Sequence, residues 1–284
     1  MSTCFVCGKA ATTEEHIFPK WLQNKYQLWE QTIGLPNETK IKYRQLKIPC
    51  CAPCNNIILS SIETRIRDST ASIEDIWKWG AKIHFGLARK DEFLDWDRKN
   101  PGYKIGEVIK AEDPLELDRH LVHCLHGEFH THPSPFGSVY VFNFDAEQPY
   151  HFVHLVHPIA ALCICLGKMG YVIFIKDTGT LVRQPSIQAK FADESSNSHL
   201  GKMLNFFANA IAHLVRYRTT FPIMMSTNSI AILGRPKLIE EVPFTDEMFH
   251  ALWRYVTANP HAPIVDNHEY KATNGLPRGS APNI

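Results

Sequence analysis

Cys4-Phe5-Val6-Cys7, then Glu14-Glu15-His16-Ile17-Phe18-Pro19, then Cys51-Ala52-Pro53-Cys54-Asn55-Asn56 follow one another within the first 56 residues, and their reading decides the fold of this part of the chain. Two thiolates separated by two residues grip one ion through a single turn, and two such turns complete the four sulfur ligands of a tetrahedral zinc. The spacing therefore predicts a zinc held by Cys4, Cys7, Cys51 and Cys54. Cys50 offers a competing three-residue spacing to Cys54, and Cys51 is preferred because it repeats the spacing of the first knuckle. Four cysteine ligands leave no open position on the ion, so such a zinc staples the chain and does not catalyse.

The rest of the composition sets the frame. The chain has 284 residues, 44% hydrophobic and 21% charged, as an ordinary globular protein does, so wholesale disorder is not expected. A formal net charge of +1 lacks the strongly basic footprint of many nucleic-acid binders, although a local basic stripe remains compatible with it. No basic and apolar leader opens the chain, and the apolar stretch from Phe152 to Ile175 is broken by His157-Pro158 and by Gly167 to Gly170. A cytoplasmic, reducing location without membrane contact is the expectation. There, eight cysteines act as ligands or core residues in preference to disulfides, and five of the eight fall within the first 54 residues.

Outward from the knuckles, Glu14 to Phe18 reads as a short strand ended by Pro19, and Trp21 to Trp29 as a short helix. Lys40 to Ile48 alternates apolar and polar residues with one slipped beat, which suits a half-buried strand. Pro53 falls in the first turn of a helix carrying Ile58, Ile62 and Ile66, where its missing N–H is harmless. A second helix begins near Ser72, with Glu74 and Asp75 in its first turn and Ile76, Trp79, Ile83 and Leu87 as its buried stripe. Further on, Val139 to Phe144 and Tyr171 to Ile175 read as strands, and Leu200 to Tyr217 and Asp246 to Ala258 as helices, the latter capped by Thr245. The expected architecture is α+β in two parts. Residues 1–68 form a zinc-stapled module, residues 69–260 an accessory α/β or α+β domain of open topology, and residues 261–284 a loose tail.

The ordered parts Cys-x-x-Cys, Glu-His-Ile-x-Pro and Cys-x-x-Cys-Asn resemble the HNH, or ββα-metal, endonuclease superfamily in its zinc-stabilised, treble-clef-like branch, over roughly residues 4–65. The resemblance implies hydrolysis of nucleic-acid phosphodiesters, DNA more than RNA, leaving 5′-phosphate and 3′-hydroxyl ends. It implies His16 as general base, a role suited to a group whose ordinary pKa lies near working pH. It also implies a catalytic Mg2+ or Mn2+ held by Glu15 and by Asn55 on the helix after the last cysteine, hard oxygen ligands for a hard cation. Asn56 competes for the place of Asn55, and Glu63, seven residues on, falls on the same helical face as a possible second carboxylate, with a solvated helix residue the simpler reading. The family's middle asparagine, which orients the base, has no evident counterpart. By analogy such proteins serve bacterial or phage defence, and the accessory part recognises substrate, dimerises or binds a partner protein. The alternative is a degenerate zinc module that binds nucleic acid or a partner without cutting.

Other features are weaker. The run from His120 to His132 is rich in histidine, but His123, Cys124 and His126 show no ligand geometry beyond their spacing. His151, His154 and His157 recur every third residue in an apolar setting, as satisfied core histidines do. Cys163 and Cys165 lie in a buried run and read as inert. Lys40, Lys42, Arg44, Lys47, Arg65 and Arg67 are candidate phosphate contacts. No phosphate-cradling glycine loop and no serine elbow occurs.

Overall fold

A computed structural model describes residues 2–35, 39–97, 99, 101–109, 115–156, 159–220, 223–226, 228–232, 237–240 and 245–257. The expected tail at 261–284 lies outside these residues, as does His157.

The first strand of the N-terminal region is β1 (Thr13–His16), which Pro19 separates from the short helix α1 (Lys20–Lys25). The segment expected as a single strand from Lys40 to Ile48 is instead divided. β2 (Thr32–Gly34) pairs antiparallel with β3 (Lys40–Lys42), a tight turn follows at Tyr43–Gln45, and β4 (Lys47–Cys50) pairs antiparallel with β1. The slipped beat marks that turn: the Lys42 N–H donates to Gln45 Oε1, and Tyr43 and Leu46 both turn inward. Splitting the segment lets its halves join two separate antiparallel pairs. The chain then enters a π-helical stretch, Cys54–Leu59, that continues as α2 (Ser60–Arg67), so the order is strand, strand, helix. Ile62 and Ile66 are buried there as the four-residue spacing requires, whereas Ile58 is only partly covered.

Ser72 caps α3 (Ile73–Asp91) through a reciprocal pair of hydrogen bonds with Asp75. Twelve of the nineteen residues of α3 are buried, because it is wedged between two neighbours. A Cβ on Gly86 would come within 3.1 Å of Ile17 and 3.3 Å of Ile48 in the N-terminal region, and one on Gly80 within 2.7 Å of Ile173 beyond. Glycine permits both close approaches. The hydrophobic core accordingly runs without a break from Ile17, Leu22 and Ile48 through Trp77 and Ile83 to Leu162, Ile164 and Ile173.

Beyond α3 come α4 (Ile105–Ile109), α5 (Leu115–His123), β5 (His130–His132) and the dominant feature, a long antiparallel hairpin of β6 (Val139–Leu155) and β7 (Ala161–Phe174) with an irregularity between Asn143 and His151. Both faces of this hairpin are covered. In β7 Leu162, Ile164 and Ile173 face the core shared with α3, while Ala161, Cys163, Cys165, Val172 and Phe174 face a second core. Period-two alternation between two apolar environments explains why Ala161 to Leu166 reads as an unbroken apolar run. The second core is closed by α6 (Pro185–Ser195) and α7 (Leu200–Arg216), with Ile187, Met203, Phe206 and Phe207 inward. β8 (Tyr217–Thr220) pairs with β11 (Lys237–Glu240), and β10 (Ser229–Ile232) lies between β5 and β9 (Ile223–Met225). Finally α8 (Asp246–Val256) begins at its Thr245 cap, whose hydroxyl accepts from the Met248 N–H. The architecture is mixed helix and strand, as expected. Among the described residues no helix is long and apolar enough to cross a membrane.

Candidate functional site

The first loop and the start of the helical segment after β4 bring Cys4, Cys7, Cys51 and Cys54 together, with all four sulfurs within 4.8 Å of one another. Tetrahedral zinc with sulfur ligands at about 2.3 Å places sulfurs about 3.8 Å apart. Cys7 Sγ and Cys51 Sγ, at 3.6 Å, already match this, so the four cysteines fit a zinc ion. Cys50 stands outside this group. It belongs to β4, is fully buried opposite Thr13, and rests its Sγ 3.7 Å from Cys4 Sγ. Hydrogen bonding with Cys50 is the main influence that pushes the Cys4 thiol down to about 3, toward the thiolate that a metal ligand requires. Among the described residues no second cluster of this kind forms. In the histidine-rich run Cys124 Sγ donates to the His120 carbonyl at 3.4 Å, and His126 faces Glu128 at 3.3 Å. Cys163 and Cys165 are fully buried, and desolvation raises both thiols, as inert core residues require.

β1 keeps its strand alternation, and this sorts the candidate residues onto two faces. Thr13 and Glu15 share one face, Glu14 and His16 the other. His16 sits at the end of β1 opposite Lys47, half-buried, with its ring 6.0 Å from that of Trp29. The buried Gln23 of α1 places Nε2 3.4 Å from His16 Nδ1 while donating to the Phe18 carbonyl at 2.7 Å. Gln23 thus holds the ring from α1, the helix that follows β1. Burial, followed by the charges of Lys47, Lys20 and Lys82, pushes the His16 imidazolium down to about 4 against a weaker opposing influence of Glu14. The ring is therefore uncharged at neutral pH.

Glu15 points the other way. Its side chain is 7% exposed, and its Oε1 lies 2.5 Å from Lys82 Nζ of α3. The same ammonium meets Glu63 Oε1 at 2.5 Å and the His16 carbonyl oxygen at 2.6 Å. Glu63 is thus neither a solvated helix residue nor an open carboxylate. Burial raises its carboxyl and the Lys82 charge only partly offsets this. Burial alone would lower the Lys82 ammonium, but the two carboxylates more than reverse that and hold it above its usual value. Asn55 donates Nδ2 to Thr13 Oγ1 at 3.0 Å and to the Glu14 carbonyl at 3.1 Å, tying the start of the helix to β1. Asn56 is exposed. Glu15, His16 and Asn55 are therefore not gathered on one open face. The pair expected for Mg2+ or Mn2+ does not fit such an ion, because an internal ammonium already engages the Glu15 oxygen.

The basic candidates are also placed. Lys42 and Arg44 converge on Glu30 at 2.6 and 2.8 Å, Arg65 holds Asp75 at 2.6 Å, and Arg67 holds Asp68 at 2.8 Å. Lys47 is 36% exposed and only loosely paired with Glu14 at 3.6 Å, so it remains near His16 with most of its reach unspent. Comparison of the chain with models of known families, with curated proteins and with solved structures finds no match.

Proposed function

We propose that the zinc module binds nucleic acid across the His16 face of β1 and β4 and hydrolyses phosphodiester bonds there, in DNA more readily than in RNA, with His16 as general base. The observation that supports this most directly is an uncharged, half-buried imidazole, steadied by Gln23, at a strand end flanked by Lys20 and Lys47. A phosphate drawn between these lysines offsets the positive charges that depress the imidazole, so its basicity rises when substrate is bound. The neutral ring then takes a proton from the water that attacks phosphorus, the P–O3′ bond breaks and the departing 3′ oxygen takes up a proton from solvent, while the lysines lie nearest to the charge that builds on the phosphate. Zinc at the four cysteines holds β1, β4 and the helix in register and takes no part in the chemistry.

The second reading, binding without cleavage, is favoured by the grip of Lys82 on Glu15. Incubating supercoiled plasmid with wild type and with His16→Ala separates the two. Under the nuclease reading the rate falls roughly a hundredfold or more in the variant, the usual effect of removing an acid–base group. DNA binding by both proteins, with cutting by neither, would establish the second reading.

The low His16 pKa also predicts the pH profile. Protonation removes the base, so kcat/KM should decline only as pH falls through about 4, and should stay level from mildly acidic to neutral pH. An acid limb centred near the ordinary histidine value would show that burial and the neighbouring lysines do not depress the free imidazole.

A further inference from the structure

Glu15, which the resemblance implies as a ligand of a divalent ion, instead shares an oxygen cluster with a cation of the protein's own. Glu15 Oε1, Glu63 Oε1 and the His16 carbonyl oxygen converge on Lys82 Nζ at 2.5, 2.5 and 2.6 Å. These oxygens come from β1 and α2, whereas the ammonium comes from α3, nineteen residues beyond Glu63. Lys82 is 1% exposed. It lies one helical turn before Gly86, whose bare backbone lets α3 settle against Ile17 and Ile48. The helix is thus close enough for a lysine to reach under β1 without leaving the core.

We infer that Lys82 is the resident cation of this site: its ammonium takes the place of a divalent ion at Glu15, and native Glu15 ligates no such ion. Two carboxylates and a carbonyl would suit Mg2+ or Mn2+ in ligand type, but the ion would have to displace Nζ. The displaced ammonium would then stay buried without its counter-charges, a state that costs far more than the exchange of one cation for another returns. The inference bears on the proposed nuclease reading, because it places any chemistry on the His16 face and gives Glu15 a structural task.

The test uses the zinc-loaded full chain and Mn2+ alone, with free Mn2+ followed by electron paramagnetic resonance. Wild type should show no saturable Mn2+ site that Glu15→Gln removes. Lys82→Ala vacates the ammonium and frees the three oxygens. It should gain a site for about one ion per chain, accompanied by a rise in Tm with Mn2+, as expected for a ligand that binds only the folded state. The double variant Lys82→Ala with Glu15→Gln should lose that site again. If Lys82→Ala fails to fold in the absence of Mn2+, recovery of the fold on adding Mn2+ is the same positive result.

A saturable wild-type site abolished by Glu15→Gln would overturn the inference. A Lys82→Ala chain that neither gains an ion nor is rescued by one would overturn it equally. No nucleic acid enters these measurements, so their outcome is independent of whether the His16 face cleaves anything.

Discussion

Cys51→Ser is expected to release zinc and unfold the N-terminal module, whereas Cys50→Ser, one residue earlier, should keep both the ion and the fold. The four-sulfur cluster includes Cys51 and leaves Cys50 out, although both side chains are buried. A structural zinc contributes on the order of 10–16 kcal/mol to the folding of small zinc-finger peptides, so the loss of one of four ligands removes a large part of the module's stability. The shared core carries the damage onward, because Ile17 and Ile48 support α3 through Gly86. Cys50→Ser exchanges a buried thiol for a hydroxyl beside Cys4, which costs about 1–3 kcal/mol if the hydroxyl finds no partner. Zinc content by elemental analysis and a thermal melt of each variant check the pair. Equal zinc loss in both variants, or loss in Cys50→Ser alone, would show that the two knuckles are registered differently.

Asp91→Asn should stabilise the protein more near pH 8 than near pH 5, where only part of the wild-type decline has taken place. Asp91 ends α3, is 6% exposed, and has Oδ1 without a hydrogen-bond partner among the described residues. Burial alone pushes its carboxyl up to about 7. The folded state thus holds a proton that the unfolded chain releases near its ordinary carboxyl value. Stability therefore falls as pH rises from about 4 to about 7 and is level above that. A shift of about three units corresponds to roughly 4 kcal/mol at most, of which a relaxed native structure would realise part. Asparagine keeps the shape and does not titrate, so the wild-type decline should vanish in the variant. Urea unfolding of both proteins at the two pH values measures it. Parallel curves for the two proteins would mean that Asp91 finds a counter-charge or water in the folded state.

Local chemistry was legible in the linear order of residues. The two Cys-x-x-Cys spacings single out four cysteines because a zinc knuckle is built within one turn, and the structure gathers those same sulfurs into a cluster that could hold the ion. Ser72 and Thr245 mark helix starts because capping bonds span only three residues. The apolar run from Ala161 to Leu166 announced a buried segment, but it took the two packed faces of β7 to show that alternate residues serve two cores. The slipped beat between Lys40 and Ile48 likewise became a turn only because its halves find different partner strands, β2 and β1.

Tertiary structure alone decided what Glu15 does. The dipeptide Glu15-His16 carries the same residues whether its carboxylate meets a metal ion or an ammonium, and the deciding group lies in α3, far along the chain. A signal was present: Lys82 falls on the buried side of α3 between Trp79 and Gly86, where a charged residue demands a partner. Nothing in the linear order says which carboxylates answer that demand, because ion pairing between distant elements depends on how they pack and not on their spacing. Gln23 follows the same rule, since its hold on the His16 ring exists only once Pro19 has ended β1 and α1 has folded back beside it. Residue types and short spacings determined the four-cysteine cluster and the helix caps; the packing of α3 against β1 determined that the Glu15 face is closed by Lys82, because contacts between distant elements depend on packing and not on spacing.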